Sequence, residues 1–357
     1  MNITIHPLPN GAPSRPLPEK LGFGQIFTDR MFTQKYSEEK GWHDAQIEPY
    51  GPFSLDPATV VFHYAQTIFE GTKAYRRPDG HLNLFRPWEN AARFNRSAHR
   101  MRMQPVDAEF HVEAMAKLVQ LEHRWTPTQP GASLYIRPTL IATDPTLGVH
   151  ASHTYLHYII LSPVGPYFAT GFNPLPVLIA DKYVRAVRGG TGEAKTGGNY
   201  AASLIASEEA KALGYQQVLW LDGVERRYIE EVGAMNIAFA YGKHIVTPAL
   251  TGTFLPGITR LSILQLAPDL GYTISEEQLD VHQVLKDIKS GAITEAFGMG
   301  TAAVIAPVSK FGYQGAEYVI GNGQSGPVAT HLFQTLTDIQ YGRIPDPYGW
   351  TMKIETA

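Results

Sequence analysis

The chain has 357 residues, 44% of them apolar and 11% aromatic, which is material for two domains of ordinary size. A formal charge of −3 argues against a nucleic-acid partner, and the lack of cysteine excludes disulfides, thiolate metal sites and thiol nucleophiles. No apolar run approaches the ~20 residues of a membrane helix, and the N-terminus has no apolar signal core, so a cytoplasmic location is expected.

In chain order, residues 1–20 hold five prolines and read as an extended arm on the surface. Residues 22–50 contain short apolar pieces such as GFGQIFTDRMF, expected as strands. The segment TVVFHYAQTIFEG (59–71) leads into KAYRR, then Pro78-Asp79-Gly80 and HLNLF; the tripeptide is turn chemistry and the flanking alternation makes a hairpin. Pro87 opens a helix, PWENAARFNRSAHRM, on which Arg93, Arg96 and Arg100 share a face, either a solvated basic stripe or an anion site. Asp107 is expected to cap a second helix with Val112, Met115 and Val119 on its buried stripe. Residues 132–143 and 154–165 are rich in β-branched and aromatic residues and read as strands. In the first, Tyr135 and Arg137 point away from Leu134 and Ile136, as a pocket wall or a solvent face.

Glycine and proline then crowd FATGFNPLP, so residues 168–177 are expected to link a domain at 21–167 to one at 178–357. The second half opens with a strand, VLIADKYVRAV, followed by RGGTGEAKTGGNY. Asn199 is expected to cap an alanine-rich helix closed by Gly214. Strands are expected at 216–222 and 244–248, helices over ITRLSILQLAPDLG and VHQVLKDIKSG, and strand, glycine turn, strand over 293–308. A last helix, PVATHLFQTLTDIQYG, ends the compact part. Periodicity alone supports two mixed α/β halves.

Lys195 stands among glycines 189, 190, 192, 197 and 198. An amine presented there can attack a carbonyl, or be an ordinary lysine on a flexible surface loop. GTGEAKTGG is not a phosphate loop, because Ala194 replaces the glycine that must precede the lysine. His150, His153 and His157 do not share a face of a strand, so packed or solvated roles are expected and no metal. A pyridoxal-type cofactor needs a lysine, a carboxylate for its ring nitrogen and donors for its phosphate. Lys195, Glu230 or Glu231, Thr259 beside Pro256-Gly257, and the Gly298-Met299-Gly300-Thr301 turn with its backbone N–H groups could meet those needs. A carboxylate flanked by Ile229 and Val232 needs a charged partner if buried.

The series EAKTGGNYAAS, QQVLWLDG, EEVGAMNIAF, LPGITR, FGMGTAA and LTDIQYGR, with HYAQTIFEGTKAYR, LFRPWENAARFNRSA, SLYIRPTLIA and LSPVGPYF, resembles the branched-chain amino acid aminotransferases, class IV enzymes dependent on pyridoxal 5'-phosphate. The resemblance runs from about Gly22 to Gly342. It implies fold type IV: a smaller N-terminal α/β domain and a larger C-terminal barrel-like domain with helices. By the resemblance Lys195 carries the cofactor aldehyde and shuttles the proton, Glu231 pairs with the pyridine nitrogen, and Tyr200 bonds the ring hydroxyl. Glu230 then faces the other way. Arg93 would grip the phosphate with Ile258, Thr259 and Thr301 as further donors, leaving Arg96 and Arg100 to packing or solvent. Tyr64, Phe69, Tyr135, Arg137, Tyr167, Thr301 and Ala302 would wall the substrate pocket, and the Gly148-Val149 loop would cover the neighbouring subunit's pocket in a homodimer or larger assembly.

The implied reaction moves the amino group of L-leucine, L-isoleucine or L-valine to 2-oxoglutarate, giving 2-oxo acids and L-glutamate in a ping-pong course. Two departures stand out: Ala303-Val304-Ile305-Ala306 replaces the redox-sensitive Cys-x-x-Cys of some members, and Ala234 replaces a threonine. D-amino acid aminotransferases and aminodeoxychorismate lyases share the lysine and glutamate but resemble the terminal halves less. A cofactor-binding metabolite sensor of the same fold is the reading outside enzymes; intact Lys195, Glu231 and Tyr200 speak against it.

Overall fold

A computed structural model describes residues 2–9, 16–18, 20–167 and 172–356. The chain divides into two compact units, the first made of Met1–Tyr167, Ala194–Gly197 and Asp338–Ala357, the second of Phe168–Glu193 and Gly198–Thr337. Within the expected 178–357 domain, residues 194–197 and the last segment, 338–357, group with the first unit. The C-terminal segment belongs with the first unit because its last strand pairs there. Of the expected linker, 168–171 lie outside the described residues, and Leu175–Pro176 already belong to a strand.

The first unit contains β1 (Thr4–Ile5), β2 (Arg30–Ser37), β3 (Gly41–Pro49), α1 (Val61–Tyr64), β4 (Thr67–Phe69), β5 (Thr72–Arg76), β6 (Leu82–Phe85), α2 (Pro87–Arg100), α3 (Ala108–Leu121), β7 (Ser133–Ala142) and β8 (Thr154–Val164). Its sheet runs β1-β3-β2-β8-β7-β5-β6 with the C-terminal strand Thr351–Ile354 at the far edge and β4 beside β7. The β5–β6 hairpin turns at Pro78-Asp79-Gly80, where Gly80 takes φ 86°, open to glycine and costly for other residues. Within the proline-rich arm, Thr4 and Ile5 are extended and exposed, and they pair in parallel with Gln46 and Ile47.

Helix α3 starts where expected, the Asp107 carboxylate accepting the Phe110 N–H at 2.7 Å. Its Val112, Met115 and Val119 pack with Phe32, Ile47, Leu84, Leu134 and Ile159 into the main core of this unit. Two histidines are sealed in as well. His111 of α3 and His157 of β8 stack at 5.0 Å, both fully buried, so His157 is a packed residue.

The second unit contains β9 (Leu175–Ile179), α4 (Gly197–Ala201, which begins at the junction of the units), α5 (Leu204–Ala212), β10 (Gln217–Leu221), β11 (Ile229–Val232), β12 (Met235–Tyr241), β13 (His244–Pro248), α6 (Ile258–Asp269), β14 (Thr273–Glu277), α7 (Val281–Ser290), β15 (Glu295–Gly300), β16 (Val304–Tyr313), β17 (Ala316–Val319) and α8 (Pro327–Gln340, whose end enters the first unit). The order β11-β10-β9-β16-β15-β12 closes on itself, because the tight β11–β12 turn at Gly233 returns β12 to β11. The result is a six-stranded barrel with β13 and β14 continuing from β12. Its interior holds Val177, Leu219, Ile237, Phe239 and Phe311.

Three local expectations need correction. The strand expected over VLIADKYVRAV stops at Ile179, where Asp181 and Lys182 are exposed. Asn199 lies within α4 rather than ahead of it: its side chain accepts the Thr191 hydroxyl and donates to the Thr191 carbonyl, both at 2.7 Å, tying the glycine-rich loop together while the helix breaks into α4 and α5. Gly298 and Gly300 are strand residues paired with Ile237, Ala306 and Val304, so the glycines belong to the ladder and the turn is the short Thr301–Ala303 segment. Their missing side chains admit Met235, since a Cβ at either position would lie 2.9 Å from it.

Candidate active site

In the first unit, Lys195 is not on a flexible loop. Its N–H donates to Ser97 Oγ at 2.9 Å, its carbonyl accepts the Phe69 N–H at 3.0 Å, and the neighbouring Thr196 hydroxyl donates to the Thr67 carbonyl at 2.7 Å. The segment thus extends the edge of β4, with Ile68 bridged to Thr196. The pinned backbone holds Nζ 4.8 Å from the centre of the Phe69 ring. Arg137 meets the same ring, with Cζ also at 4.8 Å, and donates to the Tyr135 hydroxyl at 3.0 Å. Tyr135 and Arg137 do share a side, as the alternation of β7 requires. Gly71 is glycine for a spatial reason: a Cβ there would sit 2.0 Å from the Tyr135 hydroxyl. Phe23 packs edge-on against both Tyr135 and Tyr167, each at 5.0 Å.

Arg93 is set apart from its helix-face companions. It is buried and forks onto Glu70, Nε to Oε1 at 2.7 Å and Nη2 to Oε2 at 2.9 Å, while Arg96 and Arg100 are exposed. Near α1, the Tyr64 hydroxyl donates to the Leu147 carbonyl at 2.7 Å and His63 contacts the Thr146 carbonyl at 3.0 Å. This fixes the base of a loop whose Leu147 and Val149 are 75% and 83% exposed. Asp144 organises the other end of that loop. Burial raises its carboxyl, but donors from Thr154, His153 and Ser152 outweigh that and hold it down at about 2. Asp144, His150 and His153 have their ligating atoms within 4.8 Å of one another, although both Asp144 oxygens already accept N–H or O–H donors from residues 153 and 154.

In the second unit the adjacent carboxylates of β11 separate as alternation demands. Glu231, buried, forms an ion pair with the buried Arg185 Nε. Arg185 is itself held by the carbonyls of Gly192, at 3.2 Å, and Thr253, at 3.0 Å. That approach is why residue 192 is glycine, since a Cβ would lie 2.0 Å from the Thr253 oxygen. Glu230 faces the other way and accepts the Thr253 hydroxyl.

Helix α6 begins at Gly257 with no side-chain cap, so the first-turn N–H groups at Ile258 and Thr259 remain donors for an anion. Asn236 sets that entry, accepting the Gly257 N–H at 3.1 Å and donating to the Leu255 carbonyl at 3.0 Å. Thr301 and Ala302 lie on the turn after β15, followed by Val304 at φ 64°, a strained conformation for a β-branched residue. Tyr200 lies in α4 directly after Asn199.

These groups fit pyridoxal phosphate: a held amine, a buried carboxylate with its own countercharge, and an uncapped helix start. Glu70, Arg185, Asn236 and Phe23 escaped the sequence reading. A signal existed for the first two, since a buried carboxylate or guanidinium requires an opposite charge somewhere in the chain.

Residues 67–311 match the model of the amino-transferase class IV family. The chain is 50% identical over 341 residues to branched-chain-amino-acid transaminase 1 of Bacillus subtilis, covering 95% of this chain and 96% of that protein. It superposes with a TM-score of 0.77 on a branched-chain amino acid aminotransferase from T.th. with pyridoxamine 5'-phosphate, at 27% identity over 94% of this chain and 99% of the other. The branched-chain amino acid aminotransferase of Escherichia coli matches with a TM-score of 0.77 as well, at 26% identity over 91% of this chain and 99% of the other. The extent of these matches, across both units, means that the chain belongs to the class IV aminotransferase family.

Proposed function

We propose that this protein transfers the amino group of L-leucine, L-isoleucine or L-valine to 2-oxoglutarate, yielding the branched 2-oxo acid and L-glutamate. The observation that carries the reading is the surrounding of one ring: Phe69 has a lysine amine on it and, at equal distance, the arginine of a Tyr135–Arg137 pair. A reactive amine, an apolar wall and donors for a carboxylate are thereby set about a single side chain. Aliphatic amino acids need that combination.

Pyridoxal phosphate, when bound, supplies an aldehyde for amines and a protonated ring that draws off the electron pair left at the substrate Cα. The chain's own residues do the rest. Lys195 Nζ would hold the cofactor aldehyde between turnovers and carry the proton between the substrate Cα and the cofactor carbon on the far side of the transferred nitrogen; its main-chain contacts fix where the side chain starts. Glu231 would hold a proton on the ring nitrogen, with Arg185 supplying the countercharge a buried carboxylate needs. Tyr200 would donate to the ring hydroxyl. Arg93, oriented by Glu70, and the N–H groups of Ile258, Thr259 and Thr301 would take the phosphate. Phe69, Tyr64 and Tyr167 face the substrate side chain, and Arg137, Tyr135, Thr301 and Ala302 its carboxylates.

Leu147 and Val149 support a homodimer in which this loop covers the neighbouring pocket, since apolar side chains so exposed on a braced loop call for a partner surface. A cytoplasmic location accompanies this reading; among the described residues no helix is long and apolar enough to cross a membrane.

The test is the visible absorption of the purified protein with L-leucine or D-alanine. Loss of the cofactor's long-wavelength band with L-leucine alone is expected. Bleaching by D-alanine alone, or a protein that stays colourless after incubation with pyridoxal phosphate, defeats the proposal.

A further inference from the structure

The second unit carries a cavity of about 290 Å³ that the proposed reaction does not use. Glu230 lines it; Glu231, the next residue along β11, does not. Glu230 is 3% exposed, and its Oε2 has no hydrogen-bond partner among the described residues. A buried carboxylate oxygen in that state is costly until a donor reaches it.

The rest of the lining says what kind of donor. The buried Ile229 and Phe254 provide apolar wall, and Thr251 and Thr253 lie beside Glu230. Glu225 and Glu277 are exposed, and Asp222 is already occupied by the N–H groups of residues 224, 225, 227 and 228. Four carboxylates thus face one guanidinium, that of the exposed Arg188. Such a field repels anions, including the carboxylate of any amino acid. The volume exceeds what one metal ion needs, and the apolar walls offer it no ligand oxygens.

The hydroxyl order is determined too. The Thr253 proton goes to Glu230, so in the 2.7 Å contact between the two threonines Thr251 is the donor, and its oxygen keeps lone pairs for an incoming N–H.

We propose that this cavity binds a small organic cation with N–H donors, an alkylammonium or alkylguanidinium, whose head donates to Glu230 Oε2 and Thr251 Oγ1 and whose alkyl stem lies on Ile229 and Phe254. Burial raises the Glu230 carboxyl above its ordinary value, against the opposing effects of the Thr253 hydrogen bond and the Arg185 and Arg188 charges. A bound cation offsets the same burial. The site also reaches the chemistry. Thr253, which Glu230 holds by its hydroxyl, accepts Arg185 Nη1 at its carbonyl, and Arg185 is the partner of Glu231. Binding itself does not depend on the transaminase reading.

The experiment is calorimetric titration of the holoenzyme with N-butylguanidinium chloride, a cation that does not condense with the cofactor aldehyde. Butyltrimethylammonium, with the same charge and no N–H, and potassium chloride are the controls. One saturable site per chain for the guanidinium alone is expected. Glu230→Gln should weaken it about tenfold or more, whereas Arg188→Gln, removing a like charge at the rim, should tighten it about threefold. Should Glu230→Gln fail to fold, Thr251→Val, at a half-buried position, is expected to weaken binding in its place. Heats equal to those of potassium chloride, equal binding of the trimethyl cation, or wild-type affinity in the folded Glu230→Gln or Thr251→Val protein would overturn the proposal.

Discussion

Among the described residues each unit contains one fully enclosed arginine–glutamate pair, and the two are anchored in opposite senses. In Glu70–Arg93 the carboxylate is completely committed: both oxygens hold the guanidinium fork, and Oε2 also accepts the Gly71 N–H at 3.1 Å. The carboxylate orients the arginine, which the proposed function assigns to the phosphate. In Glu231–Arg185 the arginine is anchored instead, by two backbone carbonyls, and it orients the carboxylate. Under the proposed function, identical residue types would make an anion site in one unit and a site for a protonated ring nitrogen in the other, the partner that the backbone immobilises orienting the one that meets the ligand.

The largest effect should come from neither pair but from the amine. Lys195→Ala is expected to lower turnover by about 10⁴-fold or more, because in the proposed reaction this residue is both the covalent anchor and the proton carrier. Its melting temperature should stay near wild type, since the pinning contacts are made by main-chain atoms of residue 195. A steady-state assay beside a thermal melt checks both halves, and retained turnover refutes the role.

Breaking each pair comes next. Glu70→Ala removes the carboxylate that both Nε and Nη2 of the buried Arg93 hold and should cost about 3–5 kcal/mol of stability, read by urea denaturation. Glu231→Gln keeps the volume but not the charge, and should lower kcat by about 10²–10³-fold. If Glu70→Ala instead left stability unchanged while Glu231→Gln left kcat unchanged, the assignment of opposite senses would be wrong.

A third contrast concerns acid. Burial lowers His111 from 6.5 to about 4, against a smaller raising effect of Glu70, and burial and then His111 lower His157 further below its ordinary value. Because both folded values lie below the unfolded ones, the unfolded chain binds more protons, and stability falls as pH drops below about 6.5. The loss should continue to about pH 4 with a slope of about 1.4 kcal/mol per pH unit for each histidine. Among the described residues the second unit shows no such buried histidine pair, so hydrogen exchange should find the first unit opening first on acidification. His111→Phe should flatten the slope by one proton; an unchanged slope would remove the pair from the explanation.

What could be read in advance divides along the same line. Local chemistry was legible: the Pro-Asp-Gly hairpin, the Asp107 cap, the Tyr135–Arg137 side of β7, and the alternation that parts Glu230 from Glu231. These depend on neighbours within a few positions. Arg185 and Glu70, the partners of Glu231 and Arg93, were not legible, because the partner of a buried charge is chosen by the closed barrel or the helix–strand contact and leaves no spacing rule. Asn199 misled for a related reason. A cap and a loop tie both use an amide beside a helix start, and only the position of Thr191 tells them apart. The return of Thr351–Ile354 to β6 pairs residues at opposite ends of the chain, beyond the reach of any window.

The smallest effect tests whether local signals carry equal weight in the two units. Asp107 caps α3 by accepting the Phe110 N–H, and Asp280 caps α7 by accepting the His282 N–H at 2.8 Å. Each change to alanine should cost about 1 kcal/mol from the lost cap. Asp280 also pairs with the half-exposed Arg227 at 2.6 Å, which should add only a small increment at so solvated a site. High salt should screen that increment and leave the cap unaffected. Thermal melts of the two variants at low and high ionic strength should therefore converge; a gap that persists in salt would mean that Asp280 holds more of its unit than one helix end.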